Sequence, residues 1–176
     1  MTIYTLMSLL EKAIKIAVQA HTGQIEKNGQ PYILHPLRVM QRVHTEEEKI
    51  VAVLHDVIED TPRTPAVLAK RGFSKQLLDA LDCVTIRKGE RYQAVIRRAG
   101  TNPIARRVKL ADLEDNMDIQ RLPQINASDR KRLNKYLRAY RWLTATEELP
   151  ASRGTRSPCQ RSSHYEPTRS KGRKRG

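Results

Sequence analysis

Only two cysteines occur in 176 residues, Cys83 within a helical pattern and Cys159 near the C-terminal end. Two are too few for a disulfide framework, and no CxxC pair offers a structural metal site. A reducing, cytoplasmic setting is the resulting expectation. Long apolar runs are also missing. The opening stretch MTIYTLMSLLEKAIKIAVQAH places acidic and basic residues inside its apolar stripe. It therefore reads as neither a secretory leader nor a membrane span, and no membrane is expected as a partner. No internal repeat is present. No segment alternates apolar and polar residues over a convincing strand length, which argues against a sheet protein.

Positive charge is abundant, at a formal +14, and it is unevenly spread. Residues 151–176 hold eight Lys and Arg against one Glu and contribute +7; their only hydrophobic residues are Ala151, Cys159 and Tyr165. Such a composition cannot offset the entropy of ordering, so 151–176 is predicted to be a disordered basic tail. Residues 1–150 are predicted to form one domain, long enough to bury a real core.

Within that domain nearly every segment has helical period. Leu6, Leu9, Leu10, Ala13, Ile14, Ala17 and Val18 make one stripe that stops near Gly23. The polar stretch GQIEKNGQPYILHP is too rich in Gly, Asn and Pro for a helix interior. Pro36 fits the first position of a short helix through Val43. Thr45 and Glu48 form a capping box for a helix that must stop before Pro62. Further helices are expected near 65–70, 74–85, 90–99, 103–118 and 129–146. The predicted architecture is an all-α, multi-helix bundle.

The stretch AVLHDVIEDT, residues 52–61, puts His55, Asp56, Glu59 and Asp60 into an otherwise apolar helix. Burying such groups unpaired costs several kcal/mol. Adjacent helical residues are about 100° apart, so His55 and Asp56 can reach one point, which is half of a divalent-metal site. Glu59 and Asp60, one turn on, could hold or deprotonate a water there. Partners must come from elsewhere. His35 is held extended by Pro36, and Asp112 stands among Leu110, Ala111 and Leu113. His35, His55, Asp56 and Asp112 form a nitrogen and oxygen set without sulfur, suited to Mn²⁺, Fe²⁺ or Zn²⁺ with positions left open. The plainer reading is a buried ion-pair network, but no basic residue lies within 52–60 to build it. His21 and His44 read as ordinary capped or solvated histidines.

The pattern His35, His55-Asp56, Asp112 matches that of the HD-domain metal-dependent phosphohydrolases. HTGQIEKNGQPYILHP (21–36), AVLHDVIEDT (52–61) and ARRVKLADLEDNM (105–117) further resemble the hydrolase domain of the RelA/SpoT-type alarmone enzymes and the stand-alone small alarmone hydrolases. The resemblance spans about residues 6–145. It implies an HD-domain bundle, removal of the 3′-pyrophosphate of ppGpp or pppGpp, and Mn²⁺ as the cofactor. It assigns His35, His55, Asp56 and Asp112 to the metal and Glu59 and Asp60 to the attacking water. It places Lys27, Tyr32, Lys109 and Asn116 along the nucleotide pocket. The chain departs from the family in its first loop, where Glu26-Lys27-Asn28-Gly29 replaces Arg-Lys-Ser-Gly. A carboxylate there removes a stacking cation and is expected to repel phosphate. Leu113 and Asp118 also stand where these enzymes often carry Arg. The substrate could thus be ppGpp, ppApp, NADPH or a nucleoside monophosphate.

Two rival classes compete with this reading. A non-catalytic HD module that senses nucleotides would need a damaged metal set, and this one is intact. Sequence-independent nucleic-acid binding could use the tail and the runs 97–107 and 130–141. The helical runs read instead as a solvated face, with Tyr136 and Tyr140 in the core. The tail is the part that charge alone would suit to nucleic acid.

Overall fold

A computed structural model of the chain describes residues 7–60 and 64–145, the side chain of Asp60 excepted. The predicted tail, 151–176, lies outside the described residues. Among these residues the fold is all helical: α1 (Leu9–Ala20), α2 (Leu34–Gln41), α3 (Glu46–Leu54), α4 (Val57–Asp60), α5 (Pro65–Lys70), α6 (Lys75–Val84), α7 (Tyr92–Gly100), α8 (Pro103–Asn116) and α9 (Ala127–Ala145). A 3₁₀ turn, Ile119–Arg121, follows α8, and the only strand-like pairing among them is an isolated bridge between Ile25 and Pro31. No helix among the described residues is long and apolar enough to cross a membrane.

Two helices hold the arrangement together. In α3 the five consecutive residues Ile50, Val51, Ala52, Val53 and Leu54 are buried, so the second half of this helix is covered on all sides, as a core segment must be. It packs against α1, α2, α6 and α8. Its start is fixed by the expected capping box, with Thr45 accepting from Glu48 N–H and Glu48 accepting in return. α8 opens on Asn102 and Pro103, with the Asn102 side chain capping Ala105 N–H. It buries Val108, Leu110, Ala111 and Leu113 together with Lys109, Asp112 and Asp115. The larger core lies around α3, and a smaller one forms where Ile96, Leu110 and Leu113 meet Ala139 and Leu143 of α9.

Three local differences from the expected pattern bear on the site. The helix carrying the HDVIED stretch does not run unbroken to residue 60. A turn at His55-Asp56 separates α3 from the short α4. The carbonyl of Ala52 would serve Asp56 N–H in an unbroken helix, and it accepts a 2.7 Å hydrogen bond from His55 Nδ1. Secondly, α2 begins at Leu34, so His35 and Pro36 both lie inside its first turn, where the missing N–H of proline costs nothing. Thirdly, His21 is buried, with its ring 5.0 Å from that of Tyr32 and Nδ1 2.7 Å from Gln24 Oε1, rather than solvated.

The predicted solvated face on the two Arg-rich runs is only partly so. Arg98 is 5 % exposed, and Arg106 donates twice to the carbonyl of Leu143. Tyr136 and Tyr140 pack against the smaller core, as expected.

Candidate functional site

Three segments distant in sequence converge between α2, α3 and α8. His35 comes from the first turn of α2, His55 and Asp56 from the turn after α3, and Asp112 from the middle of α8. The donor atoms of His35, His55 and Asp56 all lie within 4.8 Å of one another. His35 Nε2 is 3.6 Å from Asp56 Oδ2 and 3.3 Å from Asp112 Oδ1. His55 Nε2 is 3.1 Å from Asp56 Oδ2 and 3.7 Å from Asp112 Oδ1. The two imidazoles meet edge to face with centroids 5.3 Å apart.

The far side of each ring fixes its tautomer. His35 Nδ1 is 2.7 Å from the Asp115 carboxylate, which offers only acceptors, and His55 Nδ1 faces a backbone carbonyl. Both Nδ1 atoms must therefore donate, which leaves both Nε2 lone pairs turned toward the two carboxylates. His55 Nε2 is buried and makes no hydrogen bond among the described residues. Two imidazole lone pairs and the Asp56 oxygen around one point, with Asp112 Oδ1 beside both imidazoles, are the donor chemistry of a borderline divalent ion, so the residues fit such a group.

Electrostatics point the same way. Burial works against the charged form of His35, yet the hydrogen bonds to Asp112 and Asp115 outweigh it and carry this imidazole up to about 9. His55 is also held well above its ordinary value, because the Asp56 and Asp112 charges overcome burial. Burial opposes ionisation of Asp56 and Asp112 as well. His55 nevertheless keeps Asp56 ionised far below its usual range, and Lys109 does the same for Asp112. The cluster is built around positive charge at its centre, and without a metal it takes protons there.

The carboxylates are themselves held. Tyr32 Oη donates to Asp56 Oδ2 at 2.6 Å. Lys109 Nζ donates to Asp112 Oδ2 at 2.7 Å and Asn116 Nδ2 to Asp112 Oδ1 at 2.6 Å. Three residues assigned to the nucleotide pocket by resemblance thus also grip the metal-site carboxylates. Tyr32→Phe is expected to weaken divalent-metal affinity about 10- to 100-fold with little change in fold; a calorimetric Mn²⁺ titration with unchanged affinity would contradict that. Lys27, at the tip of the loop after α1, is 59 % exposed and pairs with Asp129 Oδ1 of α9 at 3.0 Å. Glu59, on α4, is exposed and accepts from Ile86 N–H at 3.1 Å. The side chain of Asp60 lies outside the described residues.

Sequence reasoning missed Asp115. Its carboxylate is fully buried, accepts from His35, and takes Arg38 Nε at 2.8 Å and Arg121 Nη2 at 2.9 Å. Burial pushes it up, but His35 and then Arg38 bring it down to about 2. The only signal in the sequence was its place three residues after Asp112, on the same helical face. Glu26 belongs to this network too. Its two oxygens take Arg38 Nη2 and Arg121 Nη1, each at 2.7 Å. The carboxylate is thus neutralised by two guanidinium groups, which corrects the expectation that it would repel phosphate. Asp115→Ala leaves both arginines without their shared partner. Because each is about a quarter exposed, the expected loss is about 2–3 kcal/mol, the low end for a broken buried pair. Urea unfolding measures it, and a loss below about 0.5 kcal/mol would show the network to be ornamental.

On the other side of Asp112 stands an aromatic and basic wall, also missed. The rings of Tyr92 and Tyr136 are 6.2 Å apart, and Lys135 Nζ lies 4.3 Å and 5.0 Å from their centroids. The Tyr92 hydroxyl is buried without a hydrogen-bond partner among the described residues, and burial pushes it up to about 12.

The helical bundle and the His, His-Asp and Asp cluster have the arrangement that the resemblance to HD-type domains implies. No family model matches the chain. Over 74 residues it is 42 % identical to a guanosine-3′,5′-bis(diphosphate) 3′-pyrophosphohydrolase of Haemophilus influenzae, which covers 40 % of this chain and 11 % of that protein. It is 30 % identical over 120 residues to the enzyme of that name from Aquifex aeolicus, covering 61 % and 17 %. It is 44 % identical over 59 residues to the bifunctional (p)ppGpp synthase/hydrolase SpoT of Escherichia coli, covering 31 % and 8 %. The chain spans less than a fifth of the length of these curated relatives. Its fold is shared with a solved structure of a metazoan ortholog of SpoT that hydrolyzes ppGpp and plays a role in starvation responses. The TM-score is 0.65 at 21 % identity, covering 81 % of this chain and 88 % of that one. The resemblance to the RelA/SpoT-type hydrolase domain thus holds in sequence and in fold.

Proposed function

We propose that this chain is a metal-dependent phosphohydrolase of the cytoplasm that removes the 3′-pyrophosphate from (p)ppGpp or a related alarmone. The observation carrying this reading is the convergence of two Nδ1-anchored imidazoles and the Asp56 carboxylate on one point, with Asp112 Oδ1 beside both imidazoles. His35, His55, Asp56 and Asp112 would hold the ion, with Mn²⁺ as the metal proposed. When bound, a divalent ion supplies positive charge against the phosphate and brings the pKa of water toward neutrality.

The chain's own residues do the rest. Glu59, with Asp60 beside it, would orient the attacking water and take its proton. Lys109, paired with Asp112, and Lys135, over the Tyr92 ring, would set positive charge against the negative charge of a pyrophosphate ester, and Lys27 would add to it on leaving Asp129. Tyr92 and Tyr136 offer flat apolar faces, and the hydroxyl of Tyr92 offers an unspent hydrogen bond. Tyr32 and Asn116 would border the nucleotide while holding Asp56 and Asp112 in place.

One observation favours a second reading of the substrate. The first loop carries no Arg at position 26, and Glu26 is committed to Arg38 and Arg121, so that loop supplies no guanidinium to stack on guanine. ppApp, NADPH or another phosphorylated nucleotide would not need one. The test is a substrate panel on the purified chain, with added Mn²⁺ and with chelator. Pyrophosphate release from ppGpp that needs Mn²⁺ and stops with chelator is the expected result. Release from ppApp, or phosphate from NADPH, would move the substrate while keeping the chemistry. Metal binding with no turnover of any of them would overturn the enzyme reading in favour of a nucleotide-sensing module.

A further inference from the structure

A groove of about 610 Å³ lies along α7 and the loop that precedes it. Its lining includes Arg87, Glu90, Arg91, Arg97, Arg98 and Thr101, a surplus of three positive charges. None of these residues belongs to the metal-site cluster. Their guanidinium groups fall into two kinds. Arg98 is buried and spent: it donates to Glu90, to the carbonyl of Asp82 and to the carbonyl of Thr85. Arg87 is held by Asp82. Arg91 and Arg97, by contrast, are exposed and have no ion pair or hydrogen bond from their side chains among the described residues. Both face the groove, and the start of α7 beside Arg91 has no side-chain cap.

Two unpaired guanidinium groups beside an uncapped helix start, over a floor fixed by a buried arginine, are suited to an anion with several oxygens. The planar fork of arginine grips phosphate through paired N–H bonds. The groove's volume suits a small phosphorylated molecule better than a nucleic-acid strand, which needs an extended track. The same short loop also touches Glu59. Ile86 N–H donates to Glu59 Oε2 at 3.1 Å, and Ile86 lies between Thr85, which Arg98 clamps, and Arg87, whose N–H donates to Glu90 at 3.0 Å.

We propose that this arginine-lined groove is a second anion site, taking pyrophosphate or the polyphosphate group of a nucleotide, whose occupancy is felt at Glu59 through the loop 85–91. Its catalytic consequence rests on the reading of Glu59 as the water-handling residue; the binding itself does not.

The experiment titrates the full chain, in chelator, with inorganic pyrophosphate, with GTP and with a short single-stranded oligonucleotide. The wild type is compared with the double variant Arg91→Ala/Arg97→Ala. Both side chains are exposed, so the variant should keep its helical circular dichroism. Pyrophosphate affinity is expected to fall about tenfold or more in it. GTP falling in parallel would identify a nucleotide polyphosphate as an occupant, and pyrophosphate falling alone would restrict the site to the free anion. Hydrogen exchange at the Ile86 amide should slow when pyrophosphate binds the wild type and not in the variant. Equal affinities in the two proteins would overturn the site, and binding without change at Ile86 would overturn its link to Glu59. An oligonucleotide that displaces pyrophosphate from this groove and binds it more tightly would overturn the small-anion reading. Since no turnover is measured, an inactive substrate panel would leave this result standing.

Discussion

Asp56→Ala is expected to abolish divalent-metal binding and to lower turnover at least about a thousandfold, while the protein stays folded. Asp56 Oδ2 lies 3.1 Å from His55 Nε2 and 3.6 Å from His35 Nε2, and it also accepts from Tyr32. Removing it takes away one of two anionic donors and frees the tyrosine that positioned it. The metal's electrostatic contribution to such a reaction is several kcal/mol, and each 1.36 kcal/mol is a factor of ten in rate, so the loss spans about three decades or more. The variant loses the pairing of Asp56 with His55 but leaves both apolar cores untouched, so it should be somewhat less stable and still folded. The checks are calorimetric titration with Mn²⁺ and steady-state release of pyrophosphate. Normal turnover in this variant would remove the metal assignment altogether.

How much of this was legible in the sequence depended on whether the interaction was local. The capping box at Thr45 and Glu48, the Asn102-Pro103 start of α8 and the apolar stripes depend on spacings of three or four residues, and they appear where the pattern placed them. The gathering of His35, His55, Asp56 and Asp112 is not local, but ionisable groups in apolar helices must find one another or be lost, and the structure brings these four together. The break at His55-Asp56 was not legible. It comes with a side chain bonded to a backbone carbonyl three residues earlier, and apolar periodicity carries no sign of that. Nor was the network of Glu26, Arg38, Arg121 and Asp115. Its members lie up to 95 positions apart, and each alone resembles an ordinary surface charge. Reading Glu26 by its position in the loop assigned it to the nucleotide, whereas the packing of α2 against α8 turns it toward two arginines. Arg98 follows the same rule, since nothing in the run RRAGTNPIARR marks one arginine for burial and its neighbour for solvent.

Glu59→Gln separates metal binding from water handling. Glu59 is outside the group whose donor atoms converge, so the variant should bind Mn²⁺ with wild-type affinity. Its amide oxygen can still accept from Ile86 N–H, so the loop 85–91 should keep its place. What the amide cannot do is take a proton. Loss of a general base typically costs about 10²–10⁴-fold, and that range is the expected fall in kcat. KM should change little, because the contacts that would bind substrate are elsewhere. Glu59→Ala would confound the result, since it also removes the acceptor for Ile86. If Glu59→Gln retains more than about a tenth of wild-type kcat with metal bound, the proton passes to another group, and Asp60, one residue on, is then the first to replace with asparagine.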